Sequence, residues 1–455
     1  SNLFQIWMNR VLLLSIFTAT TILQLVDAEI VFVAELFRHG ARASSASSNR
    51  IPFNQTYKVP PSSLTANGGY MQYLLGAHMR KNYIENQHVL SPTYKEEEIL
   101  VLSSRTSRTI ESAYAHLAGL YPPGTGANVS NPNITNMLPF KFGGESSAST
   151  ETPVLPFNIQ TIPVYTAAEK DDVILHGHDE LACPNAEAIQ AACESTPTYL
   201  TVQNQLSNTI VQLADLLKVP VSKVNLRLTK KVFSELHCAQ YEGFDLPVQP
   251  ESAFWKNMSF IYDFSNVYKI TYSEEALKAY ATHFLQDLHD TILSVENNTS
   301  KLRLKVYSAH DYTLITVLKS FKLTSWECIL NQFNGKPQTP CASTPEFAAQ
   351  ILWELHKVDG KYYVVMKYND EVQNICGTSD GMCTLGDFTK LLKAGMIEET
   401  EFRRICGISE GSSSQKGIFI IGGLLMVGVC IYFMPIERKR RNEPKPGETG
   451  FIQMS

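Results

Sequence analysis

Arg38-His39-Gly40-Ala41-Arg42 sets an imidazole between two guanidiniums, beside a glycine. Arg108 and the dipeptide His310-Asp311 lie far along the chain. Arginine presents planar forks of donors that match phosphoryl oxygens two at a time. A neutral histidine nitrogen can attack phosphorus, and an adjacent acid can protonate the departing oxygen. The guanidiniums supply the charge stabilisation that a metal supplies elsewhere, so the set calls for no metal and no cofactor. Taken singly, each residue has an ordinary reading. A histidine in a strand-to-loop turn is usually a structural hydrogen-bonder, Arg108 could be a helix surface charge like Arg105, and His-Asp is a common dipeptide. Their joint occurrence at strand ends carries the argument.

The elements that must position them are legible as hydropathy. Glu29 to Phe37 reads as a buried strand running into Arg38. Ile99 to Leu102 is a second short strand, feeding a helix that reaches Leu120 before Pro122-Pro123-Gly124. Leu302 to Ser308 is a third strand, ending at His310-Asp311, with a helix after it. Further strands are expected at Ile162 to Tyr165 and Tyr362 to Tyr368, a helix at Leu64 to Tyr83, and a loop from Ala127 to Thr152. Leu181 to Asp290 reads mainly as helices. The expected fold is α/β: a central, mostly parallel sheet flanked by helices, from about 29–165 and 300–406, with a smaller helical domain inserted at about 170–295. Ligands bind beyond the carboxyl ends of such strands, so the three sites after Phe37, Leu102 and Ser308 would share one rim.

Composition sets the class. The chain has 455 residues, 44% hydrophobic and 18% charged, with a net charge of −5. That excludes a disordered chain, and the acidic balance argues against a nucleic-acid binder. Five basic and three acidic residues follow Met434, and Arg10 cancels Asp27 in the first 28 residues, leaving −7 in between. An anionic substrate must therefore be drawn by local cations. Met8-Asn9-Arg10, the apolar run Val11 to Leu25 and Val26-Asp27-Ala28 have the order of a secretory signal, 1–28, with an uncleaved anchor as the alternative. Gly417 to Met434 is 18 residues without a charge, followed by Arg438-Lys439-Arg440-Arg441. It reads as a single transmembrane helix, with 435–455 as a cytoplasmic tail, and a buried core helix as the alternative. The intervening 29–410 would lie in the lumen or outside the cell. Eight cysteines fall there, an even number that reads as four disulfides. Six sequons, at Asn54, Asn128, Asn133, Asn257, Asn297 and Asn298, lie in the same part. His176-Gly177-His178-Asp179 has metal-binding residue types but no third ligand nearby in sequence. No nucleophile elbow, phosphate-binding glycine loop or dinucleotide fingerprint is present.

These motifs resemble the histidine acid phosphatase family, the lysosomal and prostatic branch of the phosphoglycerate-mutase-like superfamily. Arg38-His39-Gly40-Ala41-Arg42 is similar to its Arg-His-Gly-x-Arg signature, and Ser308-Ala309-His310-Asp311 to its distal Ser-Ala-His-Asp. Ser107-Arg108-Thr109, Leu64-Thr65 with Gly68, and Arg80-Lys81-Asn82-Tyr83 also fit. The resemblance spans most of Glu29 to Cys406, with Ser44 standing where the family often has Pro. It implies a nucleophilic His39, a phosphoryl pocket of Arg38, Arg42, Arg108 and His310, and Asp311 as the acid for the leaving alcohol. It implies bridges Cys183–Cys406, Cys238–Cys341 and Cys376–Cys383. Cys193–Cys328 is an extrapolation beyond the family. Asp directly after His310, rather than Glu after an inserted Ala, favours the acid phosphatase branch over the inositol-polyphosphate branch. The expectation is a single-pass type I membrane glycoprotein of a lysosomal or endosomal vacuole, or of the cell surface, hydrolysing small phosphate monoesters. No nucleic-acid partner is expected, and a homodimer is kept open. A phytase-like or lysophosphatidate-directed phosphatase is one competitor. A catalytically dead receptor or adhesion domain on the same scaffold is another.

Overall fold

A computed structural model describes residues 28–45, 50–51, 53–140 and 148–409. The expected signal segment up to residue 27, the apolar stretch 417–434 and the tail 435–455 lie outside them. No helix among the described residues is long and apolar enough to cross a membrane.

Strand β1 (Glu29–Arg38) is followed by α1 (Ala66–Arg80), β2 (Ile99–Ser103) and α2 (Ser107–Leu120). Six helices come next: α3 (Ala186–Ala192), α4 (Pro197–Gln205), α5 (Ser207–Leu217), α6 (Leu226–Tyr241), α7 (Ala253–Thr271) and α8 (Glu274–Glu296). The chain returns through β3 (Leu304–Ala309), α9 (Asp311–Ser320), α10 (Trp326–Phe333), β4 (Gln350–Val358), β5 (Lys361–Tyr368), β6 (Glu371–Gln373) and β7 (Met382–Thr384), then α11 (Leu385–Ala394) and α12 (Glu399–Cys406).

The sheet order is β2-β3-β1-β4-β5-β6, with β7 also on β5. Only β2, β3 and β1 run parallel. The β1–β4, β4–β5, β5–β6 and β5–β7 pairs are antiparallel, so the sheet is mixed and the expected mostly parallel sheet is corrected. The reason is local. Asp359 and Gly360 both have positive φ, which suits a tight two-residue hairpin and turns β4 straight back into β5. An antiparallel neighbour needs no helical crossover. Ile162 to Tyr165 forms no strand but a single bridge, Tyr165 to Leu102. Pro163 lacks the N–H a ladder would need there.

Alternation puts the two faces of β1 to work. Phe32, Ala34 and Leu36 pack with Phe284, Leu285 and Leu288 of α8 and Leu314 of α9. Val33 and Phe37 pack with Met79 of α1 and Ala113, Leu117 and Leu120 of α2. The sheet is thereby covered on both faces. Within the helical stretch, α5, α6 and α7 close around Leu213, Val232, Phe233, Leu236 and Met258. A second cluster joins Val202, Phe264 and Tyr280 to Ile315, Phe402 and Cys406 from beyond that stretch.

Cys183–Cys406 and Cys376–Cys383 are bridged as expected. Cys341 joins Cys328, not Cys238, across a 13-residue separation. Cys193 and Cys238 are buried free thiols, so both Cys238–Cys341 and Cys193–Cys328 are corrected. Packing accounts for the first: Cys238 on α6 lies in a cluster with Ala41 and Phe347, apart from the cluster against which Cys341 packs. Cys193 closes α3 within the same cluster as Cys328, whose sulfur is already joined to Cys341. The short loop after α10 brings Cys341 back to Cys328 instead.

Candidate active site

Because β1, β2 and β3 are parallel and in register, their carboxyl ends lie side by side. Arg38 pairs with Ala309, and Ser103 and Phe37 both flank Ser308. From β1 the chain runs into His39; from β3 it runs into His310 and Asp311. Arg108 is the second residue of α2, and Asp311 the first of α9. Two helix amino ends thus face the same rim, where their dipoles favour an anion.

The turn after β1 is built on close backbone contact. A Cβ on Gly40 would stand 2.1 Å from the Gly68 carbonyl oxygen, and one on Gly68 2.0 Å from that of Ala41. Thr65 caps α1 by accepting from the Gly68 N–H, and its own N–H donates to the Ala41 oxygen. Gln72 donates to the Arg38 oxygen at 2.8 Å. This gives Leu64-Thr65 and Gly68 a physical role: they hold the loop that carries His39 and Arg42.

Arg38 is 1% exposed. It donates to Asp311 Oδ2 at 2.8 Å and to the Pro345 oxygen at 2.6 Å, and its guanidinium lies 4.2 Å from the Phe347 ring centre. Burial opposes its charge, but Asp311, Tyr262 and Glu346 outweigh burial and push its pKa up. The His39 Nδ1 donates to the Gly40 oxygen at 2.8 Å, since a carbonyl can only accept. Arg108 Nε donates to His39 Nε2 at 3.0 Å. Both contacts demand the same tautomer, a lone pair on Nε2. Burial, then the charges of Arg108, Arg38 and Arg42, hold this imidazole well below its ordinary value, so it stays neutral in acid. A second Arg108 nitrogen lies 3.3 Å from His310 Nδ1, and the two imidazoles stand 5.6 Å apart. Burial and the neighbouring Arg42 bring Arg108 down to about 10. For Asp311, burial would raise the pKa, but Arg38, Arg42, the Tyr312 N–H and Arg108 lower it below the usual carboxylate range.

Arg42, Arg108, His310 and Asp311 line a cleft of about 590 Å³, and the buried Arg38 and His39 lie against two of them, Asp311 and Arg108. All six motif residues, Arg38, His39, Arg42, Arg108, His310 and Asp311, therefore converge. The cleft also holds side chains that sequence reading did not place: Lys230, Tyr262, Asn266 and Tyr312. Helical periodicity put them on helices but gave no sign of which face met the rim. His176 stacks on His310 with ring centres 4.6 Å apart, and His178 lines the cleft. Among the described residues no group of three or more His, Cys, Asp or Glu is placed to hold a metal. Of the sequons, Asn54, Asn128, Asn133, Asn297 and Asn298 are exposed, whereas Asn257 is half-buried and donates to Thr209.

Residues 29–369 match the family model described as histidine phosphatase superfamily (branch 2). The chain belongs to that family. It is therefore placed among phosphatases, which are hydrolases, as the motifs around His39 and His310 led one to expect. This branch 2 histidine phosphatase is 26% identical to the lysosomal acid phosphatase of Xenopus laevis over 97% of its own length and 93% of that protein. It is 25% identical to the prostatic acid phosphatase of Bos taurus, over 76% and 78%. Among solved structures, a phytase of Klebsiella sp. ASR1 superposes with a TM-score of 0.57 at 14% identity, covering 84% of this chain and 98% of that one. The apo phytase of Hafnia alvei gives 0.56, again at 14% identity, over 83% and 98%. These two likenesses establish the fold alone.

Proposed function

We propose that this histidine phosphatase is an acid phosphatase that hydrolyses phosphate monoesters through a phosphohistidine on His39. The observation that carries the reading is the His39 lone pair, fixed on Nε2 by Gly40 and ringed by Arg38, Arg42 and Arg108. The buried Arg38 Nε has no partner among the described residues, which leaves it free to donate to a phosphoryl oxygen. An entering phosphate draws Arg108 off His39, and Nε2 then attacks phosphorus as the ester P–O bond breaks. The guanidiniums and His310 hold the three remaining oxygens. Asp311 gives its proton to the leaving oxygen. Water then attacks phosphorus, losing a proton to the Asp311 carboxylate, as the P–N bond breaks and its electron pair returns to Nε2, and phosphate departs. In the empty site Arg38 keeps Asp311 ionised. A bound phosphate offsets that positive field, so the acid acquires its proton once substrate is in place.

The test is a rapid quench in alkaline detergent, which preserves the acid-labile P–N bond, after mixing with labelled p-nitrophenyl phosphate. Wild-type protein should trap label, and His39→Ala should trap none, with kcat lower by a factor on the order of 10⁴–10⁶. Label retained in His39→Ala would remove His39 from the role.

The finer reading is a lysosomal or endosomal membrane enzyme, supported by the relatives' names and by the uncharged stretch 417–434 with its basic flank. Protein ending at Ser409 should leave membranes on alkaline carbonate washing while the full chain stays; equal release would sink the anchor. One observation favours a narrower, phytase-like preference. Lys230, half-buried in the cleft wall beside Tyr312, has no carboxylate partner among the described residues and suits a leaving group that is itself anionic.

A further inference from the structure

Behind His310 lies a chain of buried hydroxyls. Ser104 and Thr109 are both fully buried. The Thr109 hydroxyl stands 2.9 Å from the Ser104 carbonyl oxygen and 2.7 Å from that of Thr106. A carbonyl only accepts, so the single Thr109 proton points toward one of them. The Thr109 oxygen is also 2.8 Å from Ser104 Oγ and must accept the Ser104 proton. With that proton committed, Ser104 Oγ can only accept from His310 Nε2, at 2.8 Å. Nε2 therefore carries the hydrogen. From the opposite side, Arg108, which never accepts, lies against Nδ1. Two independent contacts thus give one tautomer, with a lone pair on Nδ1 facing the cleft.

A phosphoryl oxygen is itself an acceptor. Once Arg108 turns to the anion, a neutral His310 would meet it lone pair to lone pair. The opposite tautomer would need Ser104 to donate to Nε2. That would leave two of the three close contacts of the Thr109 oxygen, rather than one, without a hydrogen between the oxygens. We propose that Ser104 and Thr109 are positioning residues that oblige His310 to take up a proton at Nδ1 when an anion enters, so that phosphate and one proton bind together. This rests on the phosphate-pocket reading given above.

The groups that face His310 fit an uptake linked to binding. Arg108 comes from α2 and His39 from the end of β1. His176 stacks on it and His178 stands behind, both from the segment before α3. Asp311 follows it at the start of α9. Burial, then Arg108, His176, His39 and His178, hold the empty-site imidazole well below its ordinary value. The ring is neutral until a bound anion offsets the cations around it.

Sulfate is a suitable probe, being shaped like phosphate and keeping one charge state across the working range. Calorimetric titration in buffers of different ionisation heat, near pH 6, counts the protons taken up. The measurement is made on Asp311→Asn protein, so that the carboxyl adds no proton of its own. The expected uptake is about one proton per sulfate. Thr109→Val, which keeps the side-chain shape but lets Ser104 donate to Nε2, should lower it toward zero, and Thr109→Ser should restore it. In the wild-type background Thr109→Val should also move the alkaline limb of kcat/KM for p-nitrophenyl phosphate to higher pH. Sulfate binding with no proton uptake, or uptake unchanged in Thr109→Val, would overturn the inference while leaving the pocket intact. Absence of sulfate binding altogether would overturn the pocket reading itself.

Discussion

At the scale of single residues, one guanidinium organises the empty site. Arg108 donates to the lone pairs of both His39 and His310, so the two imidazoles share a partner before any substrate arrives. The acid is poised differently, through its ion pair with Arg38. Asp311→Asn should therefore spare attack and impair departure. Its kcat should fall about 10²–10⁴-fold for alkyl phosphates, and much less for p-nitrophenyl phosphate, whose leaving group needs little protonation. Equal losses across leaving groups would remove Asp311 from the acid role. The six polar residues of this centre were legible because their types are rare in such company: two arginines around a histidine after an apolar strand. Ser104 and Thr109 were not. A serine or threonine has no distinguishing chemistry until the fold lays His310, 206 positions away, against it.

The element scale turns on the packing between the β1 turn and α1. Gly68→Ala would drive a methyl into the Ala41 carbonyl, displacing the loop that bears His39 and Arg42. The expected cost is about 1–3 kcal/mol of stability, with a drop in kcat/KM out of proportion to it. Gly69→Ala, whose nearest neighbour would be Leu64 Cδ2 at 4.0 Å, should change little. Thermal unfolding and p-nitrophenyl phosphate kinetics on the pair would decide. The three site-bearing strands could be read from their apolar runs, and β5 from the Asp359-Gly360 turn before it. The antiparallel half could not be read in full. β4 carries Glu354, His356 and Lys357 among its apolar residues, and its buried carboxylate is held by partners that include Tyr83, far upstream, and Lys367 of β5. Pairing partners of that kind are tertiary facts, and so is the choice of Cys328 for Cys341.

At the scale of the whole molecule, an enzyme working in acid must keep its own carboxylates charged. Glu354 does so. Burial would raise its pKa, but hydrogen bonds from His356, Lys367 and Tyr83 outweigh this and bring it to about 2, against an ordinary 4.5. A depressed folded value adds stability that is complete above about pH 4.5 and fades as pH falls toward 2. Glu354→Gln should thus lower the melting temperature at pH 5 and at neutrality, by an amount equivalent to about 3 kcal/mol at most. The gap from wild type should close toward pH 2. A gap that widens in acid would contradict the assignment.

The Cys183–Cys406 bridge fastens the last described helix back to the stretch that opens the helical layer, 223 positions earlier. Every group of the cleft lies upstream of its second anchor. Severing the polypeptide beyond Ser409 would shed whatever follows without unpicking that knot.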